Sequence, residues 1–160
     1  MTAVWRIAHC PTPAPPPSAL LAQMGMGSTL ASGRWHIKGA WTVVYCGSSR
    51  ALCQLEKRVH ANGARPKDQA LMRLELPRQA SVQVVEDLGL PDHGAVDVST
   101  TQALGLQWLG AASSLALSVP SFIEPQERNI LLNPAHPLFG AIRVVIERQP
   151  FVFDERLFGG

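Results

Sequence analysis

Short alternating stretches of apolar and polar residues dominate this chain, and only three stretches carry a helical period. Val4 to Ala8 alternates and predicts a short strand. Pro11 to Pro17 is a proline-rich loop, because proline lacks an amide donor and fits neither helix interior nor central strand. Ser18 to Met26 predicts a helix capped by Ser18. Trp41 to Cys46 is a β-prone run ending at Gly47. Ser48 or Ser49 then caps a helix to about His60, closed by Asn62-Gly63. On it Leu52, Leu55 and Val59 share a face, with Ala51 at one margin and Glu56 at the other border, where a core would meet a cleft. Met72, Leu74 and Leu76 alternate with Arg73 and Glu75, and Val82 with Val84 suggests another strand. Pro91 to Gly94 reads as a loop and Thr101 to about Ser113 as an apolar helix. Leu117–Phe122, Asn129–Leu132, Ile142–Glu147 and Phe151–Phe153 are further strand candidates. Strands outnumber helices in irregular order, which predicts an α+β domain on one mixed or antiparallel sheet.

Composition narrows the class. The 160 residues amount to one domain, 46% are hydrophobic, and only 16% are charged, so a packed core is expected and disorder is excluded. A net charge of +2 and a pI near 8.6 do not suit a protein that grips a phosphate backbone by itself. So little surface charge also fits a chain partly covered by a partner. Cys10, Cys46 and Cys53 make no disulfide framework and suggest a reducing compartment, hence the cytoplasm. Met1 to Cys10 has no apolar core of a signal peptide. No charge occurs between Asp97 and Glu124, but the hydroxyls and amides there and Pro120 fit a buried helix and strand better than a membrane span.

The familiar catalytic motifs are missing. His9, His36, His60, His93 and His136 are scattered, and Cys46 and Cys53 lack metal-site spacing, so no metal is expected. No G-x-S-x-G surrounds a serine. Cys46 reads as a nucleophile or, more simply, as a buried core thiol. Gly25-Met26-Gly27 lacks the third glycine and preceding strand of a dinucleotide loop. Four local patterns carry more. In Ser32-Gly33-Arg34-Trp35 a glycine beside an arginine lets backbone and guanidinium approach an anion together; a surface arginine packed on Trp35 fits the same spacing. Glu56 borders an apolar face, or is an ordinary surface glutamate. Ser121 follows the fixed backbone of Pro120, as a turn serine also would. Asn129 to Pro137 holds two amides, a histidine and two prolines around an apolar run, either a rigid ligand-binding turn or a structural one.

Together these strings resemble the RES domain family. The resemblance is carried by Trp5-Arg6, Gly33-Arg34-Trp35, Val43-Val44-Tyr45, Ala51-Leu52-Cys53-Gln54-Leu55-Glu56, Val119-Pro120-Ser121, the run Asn129–Pro137, and Phe153-Asp154-Glu155-Arg156-Leu157. None is specific alone; their order along nearly the whole chain is. The family's arginine, glutamate and serine fall on Arg34, Glu56 and Ser121. His36 departs from the pattern, which has asparagine there, and Glu86 to Thr100 has no counterpart.

The resemblance implies a single RES domain over residues 1–160. Its fold would be similar to ADP-ribosyltransferase toxins, an α+β split mixed or antiparallel sheet with flanking helices. It implies the toxin of a bacterial toxin–antitoxin pair, with NAD as substrate. The nicotinamide–ribose bond is broken and ADP-ribose passes to a host protein, water or phosphate. The expected partner is an Xre-type antitoxin in a hetero-oligomeric complex, which would hold the DNA contacts, so neither direct nucleic-acid binding nor a membrane is expected. Glu56 would stabilise positive charge on the ribose, since such cleavage passes through an oxocarbenium-like state. Arg34, and Arg6 with it, would hold the pyrophosphate. Tyr45 would stack on nicotinamide or ribose, and Ser121 would orient a ribose hydroxyl or the carboxylate. Asn133 and His136 would be further binders. The other readings are a toxin acting on RNA and an inactive, antitoxin-binding module.

Overall fold

The alternation at Val4–Ala8 becomes strand β1 (Ala3–His9), which lies inside a seven-stranded sheet in the computed structural model; residues 3–91 and 97–159 are described. The prolines then run to helix α1 (Pro17–Gln23). Pro17 sits in its first turn, where a missing amide costs nothing, and Ser18 makes no cap. The helix stops before the expected Met26, and a short second helix, α2 (Gly27–Leu30), follows. Strand β2 (Val44–Gly47) takes only the end of the β-prone run. Helix α3 (Arg50–Ala61) has the expected ends. Ser49 Oγ accepts from the Leu52 amide at 3.1 Å, and Asn62 closes it with a left-handed φ of 48°.

The rest follows as strands β3 (Gln69–Glu75) and β4 (Val82–Val84), helix α4 (Val98–Ala111), and strands β5 (Ala116–Pro120), β6 (Arg128–Leu132) and β7 (Arg143–Arg148). Asp97 caps α4, whose first residue, Val98, lies three residues ahead of the expected start. The loop expected at Pro91–Gly94 lies, beyond Pro91, outside the described residues. Phe151–Phe153 is not a strand. Pro150 offers no donor, and Phe151 makes one backbone bond, to Gln69 at 2.7 Å. Its ring and that of Phe153 pack edge to face instead, 5.1 Å apart.

The sheet order is β4-β5-β6-β2-β1-β3-β7, parallel between β4 and β5 and antiparallel elsewhere, as an α+β mixed sheet requires. β1 pairs with β3 along its whole length. With β2 it is in register only at Trp5 and Gly47, so the sheet forks there. Side chains alternate across a strand, so the apolar clusters show which helix covers which face. Leu20 and Leu21 of α1, with Met24 just after it, share one apolar cluster with Val4, Met72, Ile130, Leu132 and Val144. On the opposite face Trp108 and Leu109 of α4 pack on Leu117, Val119 and Leu131, and Cys53 of α3 packs on Ile7 and Leu71. No helix among the described residues is long and apolar enough to cross a membrane.

Candidate active site

Helix α3 turns a different face inward from the one its apolar stripe predicts. Leu52 and Cys53 are buried, while Leu55 and Val59 are 40% and 57% exposed. The cause lies in β2. A methyl group at Gly47 would stand 2.9 Å from the Cys53 backbone nitrogen, so only glycine lets the helix approach this closely. Asn129 of β6 is the cross-strand partner of Gly47. Glu56, three residues beyond Cys53, therefore overhangs Asn129.

The carboxylate is held, not free. Its Oε1 accepts from Ser121 Oγ and from Asn129 Nδ2, each at 2.7 Å. Its Oε2 has His60 Nε2 at 3.8 Å, and the side chain is 20% exposed. Ser121 is buried at the end of β5, and its Oγ also accepts from the amides of Ile123 and Glu124 at 3.1 and 3.2 Å. With its proton given to Glu56 and two amides on its oxygen, this hydroxyl is an orienting group. Arg128 fixes the start of β6, forking onto Glu86 at 2.7 and 2.8 Å and bonding Ser118.

Arg34 reaches the same neighbourhood from another loop. Its guanidinium lies 3.6 Å from the centroid of Phe122, the residue after Ser121, and makes no hydrogen bond among the described residues. The loop beneath it is tightly built. Gly33 and His36 form an isolated bridge, Gln102 Nε2 donates to Gly33 O at 2.9 Å, and Thr101 Oγ1 donates to Arg34 O.

Tyr45 anchors this loop. His36, only 2% exposed, has the carbonyls of Ser28 and Ala31 each 3.0 Å from Nε2, so that nitrogen carries the proton. Its Nδ1 then accepts from the Tyr45 hydroxyl at 2.6 Å, and the phenol oxygen accepts from the Trp35 amide at 3.3 Å. Burial pushes the phenol up to about 12, the Trp35 amide working the other way. His36, the departure from the family pattern, is thus part of the scaffold beneath Arg34. Tyr45→Phe should leave His36 Nδ1 and the Trp35 amide unpaired, at a cost of about 2 kcal/mol. A thermal melt should show a midpoint roughly 4–8 °C lower.

The remaining candidates separate. Arg6 stands at the fork, donating to Tyr45 O at 2.7 Å and Met24 O at 3.3 Å. Asn133 is fully buried, bonding Leu109 O and the Ala135 amide, and His136 Nδ1 accepts from the Leu138 amide. Both lie past the far end of β6 and touch neither Glu56 nor Arg34 among the described residues; they shape a turn. Asn129, not Asn133, is the amide of that motif that meets the carboxylate. Cys46 is buried and its thiol is pushed up to about 12 by that burial, which leaves it protonated and inert. No group of three or more His, Cys, Asp or Glu gathers as a metal site among the described residues.

A mixed sheet forked beside a carboxylate held by a serine, with an arginine stacked on the residue after that serine, defines the site of an α+β domain. Residues 3–154 match the RES domain, and the chain belongs to that family. It is 37% identical to the Prs ADP-ribosylating toxin of Sphingobium sp. over 142 residues, covering 83% of this chain and 84% of that one. It is 33% identical to Toxin Res of Yersinia enterocolitica, over 83% of this chain and 88% of the relative. Its fold is also that of a chain in the crystal structure of the M. tuberculosis MbcT–MbcA toxin–antitoxin complex. There the TM-score is 0.63 at 17% identity, over 91% of this chain and 83% of the other.

Proposed function

We propose that this chain is the toxin of a toxin–antitoxin pair and cleaves the nicotinamide–ribose bond of NAD, passing ADP-ribose to a host protein, water or phosphate. The observation that carries this reading is Glu56: one oxygen is fixed by Ser121 and Asn129, and the other has no hydrogen bond among the described residues. As nicotinamide leaves, positive charge grows on the ribose. A carboxylate already oriented pays no reorganisation cost to stabilise it, and partial burial strengthens its field. Ser121 and Asn129 act through Glu56 by fixing its rotamer. Arg34, stacked on Phe122 with its N–H edge unbonded, has a fork to offer a phosphate. Arg6 adds a second cation at the fork of the sheet. Tyr45 holds the Arg34 loop through its hydroxyl, which bonds His36 and the Trp35 amide. The ADP-ribosylating relative supports the chemistry.

An antitoxin partner, of Xre type and in a hetero-oligomeric complex, follows from the same reading. Leu55, Phe122 and Ile123, exposed neighbours of Glu56 and Ser121, give it an apolar rim to cover. Three free buried cysteines fit a cytoplasmic location. The test uses antitoxin-free protein with NAD, with and without inorganic phosphate, following nicotinamide, ADP-ribose, its phosphate and labelled protein. Nicotinamide release is expected. RNA cleavage that needs no NAD, with no nicotinamide released, would overturn the reading. Arg34→Lys keeps the charge but loses the fork and the stacked plane. It should lower kcat/KM for NAD about 10–100-fold, the worth of a charged hydrogen bond.

A further inference from the structure

Lys57 follows Glu56 on α3, about 100° around the helix, and points elsewhere. Where β1 and β2 part, a cavity of about 320 Å³ opens on the α1 side of the sheet, and Arg6, Lys57, Gln69 and Met24 are among the residues lining it. Lys57 enters from the opposite face, through the fork. Two cations thus share one small cavity, and among the described residues neither forms an ion pair with a carboxylate. Burial, and then the charge of Arg6, hold the Lys57 ammonium below its usual range. Arg6 Nε is buried without a partner, while its terminal nitrogens donate to Tyr45 O and Met24 O.

Like charges so placed repel. A multiply charged anion between them reverses that effect. We propose that Arg6 and Lys57 form a two-cation seat for a diphosphate, with Lys57 a binding residue for the dinucleotide. The assignment rests on the NAD reading for the identity of the natural ligand, while the seat itself rests on the cavity. Helix α3 then presents two adjacent residues for two tasks. Glu56 faces the sugar on one side of the fork, and Lys57 faces the phosphates on the other.

Calorimetric titration of the antitoxin-free protein with inorganic pyrophosphate and with ADP-ribose tests this, alongside NAD turnover. Lys57→Gln should weaken both ligands about tenfold or more, Lys57→Arg should keep them within about threefold, and KM for NAD should rise in the glutamine variant with kcat kept. Losing a half-buried ammonium should leave the melting temperature level or higher, so weaker binding would not reflect a broken fold. Wild-type protein that fails to bind pyrophosphate, or a glutamine variant that binds it equally well, would overturn the seat. Lys57-dependent pyrophosphate binding without nicotinamide release from NAD would instead overturn the enzymatic reading and leave the seat standing.

Discussion

Glu56→Gln should lower nicotinamide release from NAD about 10²–10³-fold and leave the fold intact. The size is that of one preorganised charge-stabilising group, about 2.7–4 kcal/mol in the barrier. The substitution isolates charge because the pocket dictates how the amide sits. Ser121 Oγ and Asn129 Nδ2 both donate to the Oε1 position, so the glutamine carbonyl must take that place. Its NH2 group then occupies the site of Oε2, turning a donor toward the ribose where positive charge develops. Shape and both hydrogen bonds survive, so the thermal midpoint should stay within about 2 °C of the parent. Nicotinamide release would be followed at saturating NAD for both proteins, with melting curves on the same samples. Undiminished release from a folded variant would remove Glu56 from the chemistry. A shared loss of release and of folding would show that the carboxylate is structural.

This pocket was legible in the sequence at its centre and less so at its edges, for physical reasons. Ser49 and Asn62 announced α3 because caps are local: a side-chain oxygen three residues from an amide, and a residue able to take positive φ. Which face of α3 turns inward is not local. Leu55 and Val59 looked like core on helical spacing, yet the inward face is set by Gly47 on a strand, and by the fork that leaves room for Glu56 and Lys57. The amide was missed for a related reason. Asn129 and Asn133 share a strand face at even spacing, so period alone cannot choose between them. They stand roughly 13 Å apart along the strand at 3.3 Å per residue, and only the pairing of Asn129 with Gly47 brings it under Glu56. Arg34 was marked by the glycine before it. What holds it was not, because Tyr45 of β2 and Thr101 and Gln102 of α4 meet the loop from two separate parts of the chain.

The dependence of Arg34 on that scaffold gives the second large effect. Gly105→Ala should destabilise the protein by about 3 kcal/mol or more, the upper end for overpacking a core. A methyl group at Gly105 would stand 1.7 Å from the Trp35 carbonyl oxygen and 2.8 Å from its carbon, both backbone atoms that no rotamer can withdraw. Trp35 is itself buried in the cluster beneath α4. Either α4 or the Gly33–His36 loop must shift, and Thr101 and Gln102, which tie the two together, shift with it. The melting temperature should fall by roughly 6–12 °C. At a temperature where the variant remains folded, kcat/KM for NAD should fall as well, because Arg34 leaves its seat on Phe122. Gly110→Ala, in the same helix, is the control. A methyl group there meets only the Trp41 ring, at 3.5 Å, an ordinary contact. Alanine's better helix propensity should make that change neutral or stabilising by about 0.5–1 kcal/mol. If the two alanine variants melt alike, close packing of α4 on the arginine loop is not what positions Arg34, and the guanidinium is held by the Phe122 ring alone.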